Sequence, residues 1–201
     1  MVLDAALEIF AGGGFADASM QAIADRAGVS KAVLYDCFPG GKQEIYYALL
    51  DRGEQTFMEH VVGVLERTQR LPVDDALREG LLAFLAYAEI HPNSFQVLFG
   101  EAGTRDPEVG RRAGRTRERI IHALGERTRD VIRAAGLEVS PLSDIYPRAI
   151  VAVAEEIARW VLRDPSAPRE LLVESVVNWF MKGFEQIIPN QAWKGTRTVE
   201  S

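Results

Sequence analysis

The side chains of this 201-residue chain that could make or break covalent bonds are few and do not converge. A single cysteine, Cys37, has no partner for an internal disulfide, and His60, His91 and His122 stand at none of the short spacings that bind zinc. The neighbouring carboxylates Glu155 and Glu156 invite a reading as a general acid and base. Arg159 and Arg163 follow at helical steps, however, so the expected arrangement is a solvated, partly paired helix face. Arg111, Arg112, Arg115, Arg117, Arg119, Arg127 and Arg129 are interleaved with Glu118, Glu126 and Asp130, which again reads as an exposed helix face rather than a nucleic-acid site. The sequence holds no nucleophile elbow, phosphate loop or metal motif. Neither an enzyme nor a cofactor is expected, and the chemistry that remains is non-covalent recognition.

The elements available to present such a surface are helices. Apolar residues recur three and four apart from end to end with almost no alternating pattern, so the fold class is all-α. With 47% hydrophobic and 26% charged residues the composition is that of a soluble globular chain. No apolar run approaches the roughly 20 residues that cross a bilayer, and no signal pattern opens the chain, so a cytoplasmic protein without membrane contact is expected. The net charge of −6 argues against a protein that coats nucleic acid, because such binding neutralises phosphates with Lys and Arg. A local contact remains open.

Leu3, Ala6, Leu7 and Phe10 share one stripe of a first helix that Gly12, Gly13 and Gly14 are expected to end. Ser19 caps a second helix with Met20, Ile23, Ala24 and Ala27 inward and Gly28 at its C-terminal side; Ser30 caps a third, carrying Val33, Leu34 and Phe38, that stops before Pro39. Longer helices follow over Gln43 to Arg70, Asp74 to Ile90, Asn93 to Ala102, Pro107 to Ala135, Asp144 to Arg163 and Pro168 to Ile188. Three parts result: a head over residues 1–42, a body over 43–188 and a loose tail over 189–201 in which Trp193 is the one large apolar residue.

Two short helices joined by a tight turn have the spacing of a DNA-reading helix-turn-helix. A small Ala24 lets the helices cross closely, Gly28 takes a positive φ without Cβ strain, and Leu34 anchors the second helix. At Gly14-Phe15, Ser19-Met20, Ile23-Ala24, Ala27-Gly28-Val29-Ser30-Lys31, Leu34-Tyr35 and Phe38 the chain resembles the TetR family of bacterial regulators. The resemblance covers about the first 45 residues; beyond them it is one of length, helicity and helix order. It implies that Ser30, Lys31, Ala32 and Val33 open the recognition helix in the major groove. Lys31 then reaches phosphate or guanine, and Ala32 and Val33 suit a thymine methyl. Tyr35, Lys42, Ser19 and Gln21 fall where the family grips phosphate.

The chain departs from that pattern in three ways. Cys37 stands where the family commonly has His, and Asp36 adds a negative charge to the recognition helix. The loop Phe38-Pro39-Gly40-Gly41-Lys42 is one residue longer than usual, and the chain begins inside the first helix without a basic arm. Residues 1–45 hold Arg26, Lys31 and Lys42 against Asp4, Glu8, Asp17, Asp25, Asp36 and Glu44, a net charge of −3, so additional Arg or Lys upstream is expected in the natural protein.

In the body, the last helix has two neighbouring apolar stripes, Leu172, Val176, Trp179, Ile187 and Val173, Val177, Phe180, Phe184, Ile188, more than one core needs. The helix before it has Ile150, Val153, Ile157, Val161 and Val151, Ala154, Ala158, Leu162. Together they predict a homodimer through a two-fold four-helix bundle, with Val153, Ile157, Val161, Val176, Trp179, Phe180, Gly183, Phe184 and Ile187 at the interface. Phe84, Tyr87, His91, Phe95, Phe99 and His122 lie in the middle helices. Aromatics at helical spacing are ordinarily core, but the resemblance implies an effector pocket there, with Tyr87, His91 and His122 as its polar tips. The resulting expectation is a repressor released from a double-stranded DNA operator by a largely apolar small molecule. An enzyme using the helical body as a cavity, or a carrier that has lost DNA binding, are the competing readings.

Overall fold

The computed structural model describes residues 1–68, 70–100, 106–134, 139 and 145–187. Helices α1 (Val2–Asp17), α2 (Met20–Ala27), α3 (Lys31–Cys37) and α4 (Gly41–Phe57) come first. A π-helical stretch, Met58–Val62, leads into α5 (Gly63–Arg67). Then follow α6 (Val73–Ile90), α7 (Pro92–Phe99), α8 (Pro107–Ala134), α9 (Ile145–Arg163) and α10 (Arg169–Ile187). Among the described residues there is no strand.

The chain forms two compact units, one of Met1–His60 with Ala86–Ile120, the other of Val61–Leu85 with Ile121–Ser201. In the first unit, α1 packs on α2, α4 and α7 around a core of Ala6, Phe10, Ile23, Ala24, Leu34, Ile45, Tyr46 and Leu49. Phe10, Phe15 and Tyr46 meet there as an aromatic trio, with ring centroids 5.2–5.9 Å apart. In the second unit α9 and α10 are neighbours, and Val151, Ala154, Ala158, Val173 and Val177 are buried. Arg78 on α6 pairs there with Glu174 on α10 and, at 2.5 Å, with Asp75.

The structure corrects the expected end of the first helix. Gly12 and Gly13 stay in α1, which runs to Asp17, and only Gly14 leaves helical geometry, with φ 72° and ψ 176°. Phe15 is buried in the core beyond that break, stacked on Phe10. The long helix expected to reach Arg70 is interrupted by the π-helical stretch at Met58–Val62. Phe57 and Val61 keep a helical spacing and are both buried, so the apolar pattern carried no mark of the extra residue. The expected tail lies outside the described residues.

Candidate nucleic-acid interface

The head is built from local backbone chemistry. The Ser19 Oγ accepts a hydrogen bond from the Ala22 N–H at 3.1 Å and so occupies an otherwise orphaned donor at the start of α2. At the other end Gly28 sits in the left-handed region, φ 67° and ψ 31°. There the Val29 N–H donates to the Ala24 carbonyl at 3.1 Å and the Gly28 N–H to the Asp25 carbonyl at 3.2 Å, the paired bonds of a Schellman turn. The chain reverses and Ser30 caps α3 at once, its Oγ accepting from the Val33 N–H at 3.2 Å. Fully buried Leu34 pins α3 to the core.

One buried anchor on a seven-residue helix leaves the rest of that helix outside. Ser30, Lys31, Ala32, Val33, Tyr35, Asp36 and Cys37 are all exposed. Val33 is 46% and Tyr35 42% exposed, although apolar neighbours in the head are buried. The Lys31 ammonium stands 6.0 Å from the Tyr35 ring centroid. Ser19 and Gln21 are exposed on α2, where the Gln21 amide donates to Asp25 at 2.7 Å. Two acidic side chains of the head are engaged by cations, Glu8 by Arg26 (Nε to Oε2 2.7 Å) and Asp4 by the Met1 ammonium (2.6 Å) and Arg52 (2.7 Å), which in that order hold the Asp4 carboxyl below its usual range.

Over residues 2–49 the chain matches the family model described as "Bacterial regulatory proteins, tetR family", a span that takes in α1, α2, α3 and the first half of α4. Residues 2–49 thus carry a TetR-family helix-turn-helix segment. The HTH-type transcriptional activator FasR of Mycolicibacterium smegmatis is 29% identical over 189 residues, 92% of this chain and 82% of that protein. A TetR-like regulator from Rhodococcus sp. RHA1 aligns with a TM-score of 0.71 and 26% identity, over 90% of this chain and 94% of that one. FadR of Bacillus subtilis, solved with stearoyl-CoA, shares the fold with a TM-score of 0.75 and 18% identity, over 90% of this chain and 97% of that one. The chain is thus similar to transcriptional regulators, with a helix-turn-helix head over the matched residues and a helical body.

Lys42, expected to grip phosphate, turns inward instead. Its ammonium donates to the carbonyls of Phe15 (2.8 Å), Ala16 (3.3 Å) and Ala18 (2.9 Å) and lies 4.5 Å from the Phe15 ring centroid. Gly41, directly before Lys42, adopts φ 66° as the chain enters α4.

Of the residues expected to line a pocket, four come together in the first unit. Tyr87 packs on His91 (5.2 Å) and on Phe57 (5.1 Å), Phe57 on Phe99 (5.4 Å), and Phe99 on Phe95 (5.3 Å). The Tyr87 hydroxyl donates to the Gly53 carbonyl at 3.3 Å, and burial pushes its pKa up. Phe84 is buried in the second unit. His122 lies on an exposed face 3.7 Å from Glu126, its side chain 67% exposed, away from a polar tip's place. Phe57 and His60, whose ring is 6.2 Å from Tyr87, were missed because they precede the middle helices in sequence.

The two stripes of α10 have separate fates. Val173, Val177 and Phe180 are buried within their own chain, whereas Leu172 and Val176 are half-buried and Trp179 and Gly183 are exposed. On α9, Ile157 and Val161 are buried and Val153 is half-buried. Ile157, Val161 and Phe180 thus serve the chain's own core, while the exposed Leu171, at 64%, and Trp160, at 44%, join the outer face. The side chains of Phe184 and Ile187 lie outside the described ones. Glu155 departs from the solvated face expected of it: it is only 4% exposed, with Arg159 at 3.6 Å, because α9 turns that position toward the buried Val151 and Ala158 side. Glu156 is exposed and pairs with Arg159 and Arg163. The α8 arginines also do more than decorate a surface: Arg112 pairs with Asp51 and Arg119 with Glu54, both on α4, and both guanidiniums donate to the buried Thr116 hydroxyl, at 3.2 and 3.3 Å.

Proposed function

We propose that this regulator is a homodimer that holds its operator while the body is empty and releases it when a largely apolar ligand binds, a repressor in its resting state. The observation that carries the reading is the exposed edge Ser30-Lys31-Ala32-Val33 on a helix pinned by the buried Leu34. A short rod offering two small apolar side chains beside a cation suits the major groove, where Ala32 and Val33 meet thymine methyls and Lys31 meets guanine or phosphate. Ser19 and Ser30 spend an oxygen lone pair on capping but keep the O–H to donate to a phosphate oxygen, and Tyr35 and Gln21 add donors on either side.

The exposed Leu171, Trp179 and Gly183 and the half-buried Leu172 and Val176 on α10 support a two-fold pairing of α9 and α10, which sets two heads about 34–36 Å apart, one turn of duplex. The aromatic group Phe57, Tyr87, Phe95 and Phe99 supports an apolar ligand, and the stearoyl-CoA bound by FadR makes a long-chain acyl-CoA the first probe. Ligand control requires different affinity for two spacings of the heads, a coupling of about 1–3 kcal/mol. The relative named as an activator favours a second reading in which the same contacts raise transcription.

Gel mobility of the promoter duplex beside the protein's own gene tests the reading, with and without stearoyl-CoA. A complex that dissolves on adding ligand, together with loss of binding in the Lys31→Ala, Tyr35→Phe double variant, is the expected result. Unchanged binding by the double variant overturns the proposed head. Transcription in vitro from that promoter separates repression from activation.

A further inference from the structure

We propose that Lys42 is a positioning residue that clamps the junction between α1 and α2, and that it makes no contact with DNA phosphate; the inference rests on the DNA-reading head proposed above. A lysine ammonium has three N–H donors and no acceptor. Here the three nearest acceptors are the carbonyls of Phe15, Ala16 and Ala18, at 2.8, 3.3 and 2.9 Å, so the donor capacity is spent inside the protein. These carbonyls belong to the stretch after Gly14, where α1 loses helical geometry, and to Ala18, whose extended backbone (φ −69°, ψ 143°) hands the chain to the α2 cap. Peptide carbonyls freed by a helix end need a donor, and a cation there also meets the negative end of the helix dipole. The Phe15 ring, 4.5 Å from the ammonium, supplies a further attraction.

Geometry then links Lys42 to the DNA-facing side chains. Ala18 is followed directly by Ser19, whose Oγ caps the start of α2, and Gln21 stands two residues on. Lys42 is in the first turn of α4, whose Tyr46 packs on Phe10 and Phe15 in the core. One side chain therefore ties the entry of α2 to the core helix. Releasing the ammonium toward a phosphate would leave the three carbonyls without this donor.

The test is Lys42→Met, which keeps the length of the side chain and removes every donor, compared with wild type on a duplex selected by the wild-type protein from a random pool. Binding is measured across a salt series at a temperature where both proteins are folded. A positioning role predicts a loss of roughly tenfold in affinity at every salt concentration, from the loss of charge-assisted hydrogen bonds, with an unchanged slope of log K against log salt. It also predicts faster amide exchange at residues 19–23 in the free protein. A slope reduced by about 0.9, the value of one phosphate contact, with unchanged exchange overturns the proposal. So does a variant identical to wild type in both readouts. If the wild-type protein selects no duplex, the DNA-reading head fails, while amide exchange still decides whether Lys42 holds the junction.

Discussion

Tyr46 shows how a single residue couples the head to pH. It is 1% exposed between Phe10 and Phe15, its hydroxyl donates to the Val97 carbonyl at 3.4 Å, and burial pushes its pKa up to about 12. The neutral phenol is therefore the form the fold keeps. The stabilisation is complete below the unfolded value near 10 and is lost as pH rises from there toward 12, about 3 kcal/mol in all. Chemical denaturation at pH 8 and pH 11 checks this: wild type loses more stability over the interval than Tyr46→Phe, and equal losses contradict it. The caps and the exposed edge of α3 were legible in the sequence, because Ser19, Gly28 and Ser30 act on backbone within three residues of themselves and Leu34 is the one side chain that its short helix buries. Lys42 was not legible, because its partners lie 24–27 residues away and only the folded α1 brings their carbonyls within reach.

At the scale of elements, the turn between α2 and α3 is fixed by backbone geometry more than by packing. A Cβ at Gly28 would meet nothing within 4 Å, so the demand for glycine comes from φ alone. Gly28→Ala is expected to cost about 1 kcal/mol and to lower Tm by about 2–4 °C, as scanning calorimetry would show; an unchanged Tm contradicts a strained left-handed cap. Helix identity and order were read correctly from apolar period and capping residues, which are local signals. The π-helical stretch at Met58–Val62, the burial of Glu155 and the pairing of Arg112 and Arg119 with α4 were not, because each is set by a neighbouring helix and leaves no trace in the period of its own.

For the whole molecule, the proposed function depends on two heads held at a fixed spacing, and the α10 surface is where that is tested. Trp179 is 63% exposed at the centre of a face that includes Leu171, Val176 and Gly183. An indole left in water at such a place is expected to be covered by a second copy. Sedimentation velocity of Trp179→Glu should show a shift from dimer to monomer with the helical content retained, and a wild-type monomer at micromolar concentration would contradict the pairing. No helix among the described residues is long and apolar enough to cross a membrane. The two apolar stripes of α10 were visible in the sequence; which one stayed outside was not, because that depends on the side α9 covers.

The most direct test of the central claim, that the edge of α3 reads base pairs from two copies at once, is selection by the full chain from a random duplex pool. The account predicts enrichment of an inverted repeat whose half-site centres are one helical turn, about 34–36 Å, or a whole multiple of it apart. A pool that shows no sequence enriched over input would contradict it.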